Sequence, residues 1–219
     1  DHILKTVEVY NNVINKYLNI EPEHAHCFIT EKKYPNKTND TIYKDGFHGE
    51  YPNIVASTEM KYIIHREVVE IFEKNDYYNN INPLNKYSDI FDELIIRDTN
   101  WFIYGCCKPQ REPYLLTHVL GIDLEEYNFK KKFTKDNLPG ILSIRQFGSE
   151  DISPFKENIS EDVIKEKFSK LNIKKKKVHE VRKRSREYTE EDIEYAQKLV
   201  KLLSVDRADN YQSWMEVGW

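Results

Sequence analysis

Lys44, Gly46 and His48 alternate within the segment KDGFHGEYPNIV, so on an extended strand all three share one face. An ammonium and an imidazole beside a glycine that admits close backbone approach would make a cradle for a triphosphate. The ordinary alternative for His48 is a surface or hydrogen-bonded core histidine. Phe91-Asp92 enters the apolar run Leu94-Ile95-Ile96, and a carboxylate at the mouth of a buried strand can ligate Mg²⁺ through oxygen. A helix or turn cap is its structural alternative, and Asp123 after Ile122 is a rival of the same form. WFIYGCCKP delivers Lys108 at the exit of an apolar stretch, where an ammonium could meet phosphate; otherwise Lys108 is a surface residue in a proline turn, with Cys106 and Cys107 as buried small hydrophobes. His24, His26 and Cys27 raise the question of zinc, but their spacing matches no standard finger or ribbon and there is no C-x-x-C. A glycine-rich phosphate loop, H-E-x-x-H and G-x-S-x-G are absent, so an ATPase motor is not encoded in these residues.

These residues need elements to position them. Ile3, Val7, Tyr10, Val13, Ile14, Tyr17 and Leu18 recur at helical spacing, which predicts an amphipathic helix over 2–20. HCFIT (26–30) reads as a short strand, and a polar hairpin or loop separates it from a second strand over about 47–55. A helix over 58–74 follows, opened by Ser57. FDELIIR and NWFIYGCC read as strands joined by a turn at Asp98–Asn100, and THVLGID as another strand. The mixed order predicts an α+β fold, a mixed or antiparallel sheet with flanking helices, followed by a basic linker and C-terminal helices. Three segments are expected: a catalytic-type core over 1–150, a helix (160–171) with a basic linker over 151–188, and the start of a helical module over 189–219. The basic run holds Lys174, Lys175, Lys176, Lys177, Arg182, Lys183 and Arg184, either a solvated, exposed linker or a nucleic-acid contact.

Composition narrows the class. Hydrophobic residues make up 39% and charged residues 32% of 219, with 15 Tyr and 10 Phe, enough to fill a core. A net charge of -4 excludes a uniformly basic nucleic-acid binder, so any such contact must be a local patch. Three cysteines, two adjacent, read as reduced thiols of a cytoplasmic-type compartment. No apolar run approaches the roughly 18–20 residues of a membrane span. Without an initiator Met, and ending within an apparent helix, the sequence reads as a piece of a longer one.

Taken in order, these segments resemble the archaeo-eukaryotic primase superfamily, in particular the poxvirus-like, giant-virus-type primase-helicases of large nucleocytoplasmic DNA viruses. The family's small-x-His strand is matched by Gly46-Phe47-His48 and its hydrophobic-Asp strand by Phe91-Asp92, followed by NWFIYGCCKPQREPYLLT. LPGILSIRQF is also similar to family sequence, and RADNYQSWMEVGW is similar to the start of the module joining primase to a superfamily 3 helicase. The family's acidic pair, Asp-x-Asp or Asp-x-Glu, has no counterpart, because the opening helix resembles the one that follows it. Gly46 stands where relatives often have Ser, and Gly49-Glu50 where apolar residues are usual.

The resemblance implies a nucleotidyltransferase, a DNA primase or polymerase extending a strand on a single-stranded DNA template and primer from NTP or dNTP. Two Mg²⁺ or Mn²⁺ ions would be held by the missing pair and Asp92, and the triphosphate by Lys44, Gly46, His48 and Lys108. His48 and Asp92 should then face one cleft from neighbouring strands; their lying on opposite faces of the sheet, or Asp92 serving as a helix cap, would overturn the assignment. With the acidic pair missing, the 219 residues alone are expected to be inactive. The partner would be a superfamily 3 helicase domain of the same polypeptide, forming a homo-hexamer, in the host cytoplasm or virus factory, with the nucleus open. The alternative is a non-catalytic nucleic-acid-binding or oligomerisation segment of a replicative helicase.

Overall fold

The apolar stripe of the first helix finds its partner in a second helix, and that pairing organises the main unit of the chain. The structure, a computed structural model, describes residues 2–96, 101, 103–108, 111–128, 133–134, 137–143, 152–171, 173 and 189–201. The chain divides into two units, Asp1–Ile173 and Lys174–Trp219.

In the first unit α1 (His2–Tyr17) buries Ile3, Val7, Val13, Ile14 and Tyr17 along one side. α2 (Thr58–Asn75) starts where Ser57 Oγ accepts from the Met60 N–H at 3.2 Å, and ends at Asp76 in the left-handed region (φ 48°). Phe72, fully buried, is at the centre of their contact, edge-on or tilted to Tyr77, Tyr78, Tyr87 and Phe91. This aromatic packing is what the supply of Tyr and Phe builds. α3 (Tyr87–Ile90) is a single turn beneath it. The helix expected over 160–171 is α5 (Glu161–Lys170), capped by Ser160 and packed through Ile164 and Phe168 into the same cluster, so residues of the 151–188 segment help to build the core of the first unit.

The sheet is three-stranded and antiparallel, in the order β4 (Phe47–Glu50), β1 (Cys27–Glu31), β5 (Leu115–Leu120). β1 is central and apolar on both sides because both sides are covered. Cys27 and Ile29 pack with Ile3, Val7 and Leu120, whereas Phe28 packs with Val119, Leu138 and Leu142, the last two at α4 (Leu138–Ile141). A separate ribbon, β2 (Asn36–Lys37) with β3 (Tyr43–Lys44), interrupts the chain between β1 and β4. The α+β class with a small antiparallel sheet and flanking helices is as expected.

Several local expectations differ. The strand over 47–55 ends at Glu50, where a turn at Pro52-Asn53 takes over. FDELIIR is no strand: Phe91 follows α3, and Glu93–Ile96 is a 3₁₀ turn. Residues of NWFIYGCC that are described form a turn rather than a strand, with Cys106 N donating to Ile103 O at 2.9 Å and Gly105 at φ 84°. Cys106 and Cys107 are exposed, not buried. The Asp98–Asn100 turn lies outside the described residues. In the second unit α6 (Glu190–Lys201) falls within the predicted helix, with Lys198 paired to Glu194 at 3.7 Å. Lys174, Lys175, Lys176, Lys177, Arg182, Lys183 and Arg184 lie outside the described residues. Among the described residues no helix is long and apolar enough to cross a membrane.

Candidate functional site

His48 lies on β4 directly opposite Thr30 of β1. Its ring stacks on Tyr114, with centroids 4.0 Å apart and planes 16° from parallel, and meets Trp101 at 4.7 Å and 58°. Lys32, two residues beyond Thr30, holds its ammonium 4.8 Å from the centre of the same Tyr114 ring. Burial first, and the Lys32 charge second, hold the imidazole below its ordinary pKa, so it is neutral near pH 7. Burial raises the Tyr114 phenol, while Lys44 pulls it down and Asp45 pushes it up, which locates both charges near that ring. Glu50 follows two residues after His48 and therefore shares its face of β4. Burial pushes its carboxyl up to about 7.

The route by which Lys44 reaches this neighbourhood differs from the expected one. It belongs to β3, exposed and paired with Asn36 in the ribbon, not to the strand of His48. Gly46 is exposed, its N–H donates to Asp45 Oδ1 at 2.9 Å, and an added Cβ would meet open space. Nothing here requires glycine for close approach. Lys108 is exposed in the loop after Gly105; its carbonyl accepts from Arg111 N at 3.0 Å, and Arg111 Nη1 donates to Asn36 Oδ1 at 3.3 Å. That bond brings the loop to the ribbon of Lys44, although no contact between Lys108 and His48 is found among the described residues.

Asp92 corrects the expectation of a buried strand mouth. It is exposed, it precedes a 3₁₀ turn, and its Oδ1 accepts from Leu94 N at 2.9 Å. This cap is the outcome that counts against a metal role, and it places Asp92 on no strand beside His48. The adjacent Glu93 Oε2 meets Arg66 Nη2 of α2 at 2.5 Å, and His65 of α2, whose pKa burial lowers, feels Glu93 and Asp92 in the opposite direction. Asp123 also caps a turn, accepting from Glu125 N at 3.1 Å. His26 Nδ1 contacts Glu23 O at 2.9 Å and Cys27 turns into the core, so the two do not converge. Among the described residues no group of three His, Cys, Asp or Glu side chains is arranged to hold a metal ion. Mg²⁺ requires near-octahedral oxygen coordination; one exposed, capping carboxylate does not supply it.

Sequence reasoning missed Lys32, Trp101 and Tyr114. Trp101 and Tyr114 stood in the block NWFIYGCCKPQREPYLLT, and Lys32 in the polar stretch EKKYP. Aromatic residues interleaved with Lys on either side of the strand region were the available signal.

The family model described as "C962R protein N-terminal AEP domain" matches residues 1–120. Across 99% of the chain, the sequence is 29% identical to "Putative helicase L207/L206" of Acanthamoeba polyphaga mimivirus, covering 25% of that protein. "Putative helicase 184R" of Invertebrate iridescent virus 6 is 24% identical over 100% of the chain and 25% of its own length. "Putative helicase 121R" of Invertebrate iridescent virus 3 is 23% identical over 89% of the chain and 22% of its own length. The chain thus spans about a quarter of the length of the curated relatives it matches. No solved structure matches it.

Proposed function

We propose, from the premise that this chain belongs to the family of C962R-type N-terminal archaeo-eukaryotic primase domains, that it forms the nucleotide-holding part of a viral primase-helicase. The observation that carries this reading is His48: the histidine of the small-x-His motif sits on the sheet in an aromatic setting with lysine charges around it. A neutral imidazole offers one N–H donor, suited to a phosphate oxygen, and leaves the positive charge to lysine. Lys44 and Lys108, both exposed, supply charge from the ribbon and the neighbouring loop. Viral relatives named as helicases support a primase-helicase of greater length, with template, primer and helicase domain as partners.

The finer reaction is template-dependent nucleotidyl transfer using NTP or dNTP. Mg²⁺ or Mn²⁺ belongs to the proposal as the ion such a transfer uses, although Asp92, which caps a 3₁₀ turn and is not on a strand beside His48, does not fit it. The described residues do not complete a metal site, so further carboxylates must come from elsewhere in the whole protein. The residues of this chain bind and orient the triphosphate, and positioning supplies much of the catalysis in such transfers.

The test is incorporation of labelled nucleotide on a primed template by the full-length protein. Synthesis requiring Mg²⁺ or Mn²⁺ is expected. His48→Ala should raise KM about tenfold, the size of one hydrogen bond to a charged group, with kcat less affected. Asp92→Ala, which removes a turn cap, should leave incorporation largely unchanged. Loss of incorporation by a folded Asp92→Ala protein would return the metal role to that carboxylate, and metal-independent synthesis would refute the primase reading.

A further inference from the structure

We propose that Lys32 is a phosphate-binding residue of this site and that Tyr114 is the positioning residue which holds both Lys32 and His48. The inference deepens the reading above, on which it rests for the identity of its ligand, a nucleoside triphosphate.

Three observations lead to it. The Tyr114 ring has His48 stacked against it at 4.0 Å and the Lys32 ammonium 4.8 Å from its centre, so one aromatic ring locates both groups. Trp101, tilted at 4.7 Å, contacts the same imidazole and limits its rotation. Lys32 is half-buried and makes no salt bridge among the described residues, whereas Lys37, Lys5 and Lys16 each have a carboxylate partner. The nearest acid in sequence, Glu31 at the end of β1, is engaged with Thr117 and lies 3.9 Å from His118.

Charge then decides between the candidate cations. Because His48 is neutral, a polyanion at its N–H needs an ammonium alongside. Lys44 is exposed on a two-residue strand and carries the full rotamer freedom of a long side chain. Lys32 is already restrained over an aromatic face, so less freedom is lost when phosphate arrives. The other charged groups acting on this ring are Lys44 and Asp45, and Glu50 shares the face of β4 that carries His48; of these only Lys44 adds positive charge. The Tyr114 face is thus a support that orients a neutral donor and a cation toward one ligand.

Calorimetric titration of the protein with dATP and, separately, with inorganic tripolyphosphate tests this, together with NMR of the His48 ring. Lys32→Gln should weaken both ligands about tenfold, the loss of one charged hydrogen bond, and should move the His48 titration midpoint up toward the ordinary histidine value. Tyr114→Leu should weaken both ligands similarly and shift the His48 ring resonances, and Tyr114→Phe should restore what Tyr114→Leu loses, since the aromatic face returns. If Lys32→Gln binds both ligands as the unaltered protein does, the inference is wrong while the nucleotide reading stands. If the unaltered protein binds tripolyphosphate as tightly as dATP and Lys32→Gln weakens it, the anion site stands and the nucleotide reading falls. Binding of neither ligand overturns both. Lys32 lies beyond the end of β1 and is only half-buried, so its variant reports even where Tyr114→Leu fails to fold.

Discussion

Glu50 is one of the positions at which this chain parts from the pattern it resembles, and burial gives that departure a measurable consequence. Its carboxyl is raised to about 7 by burial, above the value of about 4.3 expected in the unfolded chain. The folded state therefore holds a proton that the unfolded state releases, so stability falls as pH rises from about 4.3 through 7. The contribution is about 2 kcal/mol, after allowing for the solvent that reaches a half-buried group. His48 acts with the opposite sign: its depressed value means that stability is lost as pH falls below about 6.5, when the unfolded imidazole takes up its proton. The two partly offset each other on the acid side of neutrality. Glu50→Gln should raise the melting temperature at pH 8 by several degrees, roughly 2–4 °C for each kcal/mol in a domain of this size, and have little effect near pH 4. Equal melting shifts at both pH values would rule out the buried-carboxyl account.

At the scale of elements, α2 carries the sharpest sequence signal and the simplest test. Ser57→Ala removes the only side-chain acceptor for the Met60 N–H among the described contacts and should cost about 1 kcal/mol, read as a lower denaturation midpoint with unchanged m-value; a midpoint within error of the parent would show the cap to be dispensable. Such helices were legible because long stripes such as Met60, Ile63, Ile64, Val68 and Phe72 have one period and one explanation. The region of Asp92 was not. Leu94-Ile95-Ile96 is too short for periodicity to separate strand from turn, and in the fold Leu94 and Ile95 stay exposed, so nothing described pairs with them to hold an extended chain. Lys44 and His48 both lie near Tyr114, but not through the alternation of one strand. A regular strand would place them on one face; the ribbon of β2 and β3 breaks that strand after Lys44, and tertiary contact through Tyr114 supplies the proximity instead. Tyr114 itself was unreadable, because its partner lies 66 positions away and no local pattern records a stack.

The whole molecule shows two units, and the first closes around a sheet strand whose one sulfur is a consequence waiting to be used. Cys27 is 1% exposed, packed between Ile3, Val7 and Leu120, and burial pushes its thiol up to about 12. Cys106 and Cys107 are exposed on a loop of the same unit. The chain therefore carries two prompt thiols and one slow one, an internal clock for opening of β1. Under a thiol-specific alkylating reagent, two equivalents should be consumed rapidly and the third only as fast as the unit opens, with a rate set by the opening equilibrium. Because Cys27 touches α1 as well as β5, its labelling should accelerate when denaturant loosens the helices, in step with the loss of helical signal. Prompt modification of all three sulfurs in native buffer would mean that β1 is not the closed centre of this unit.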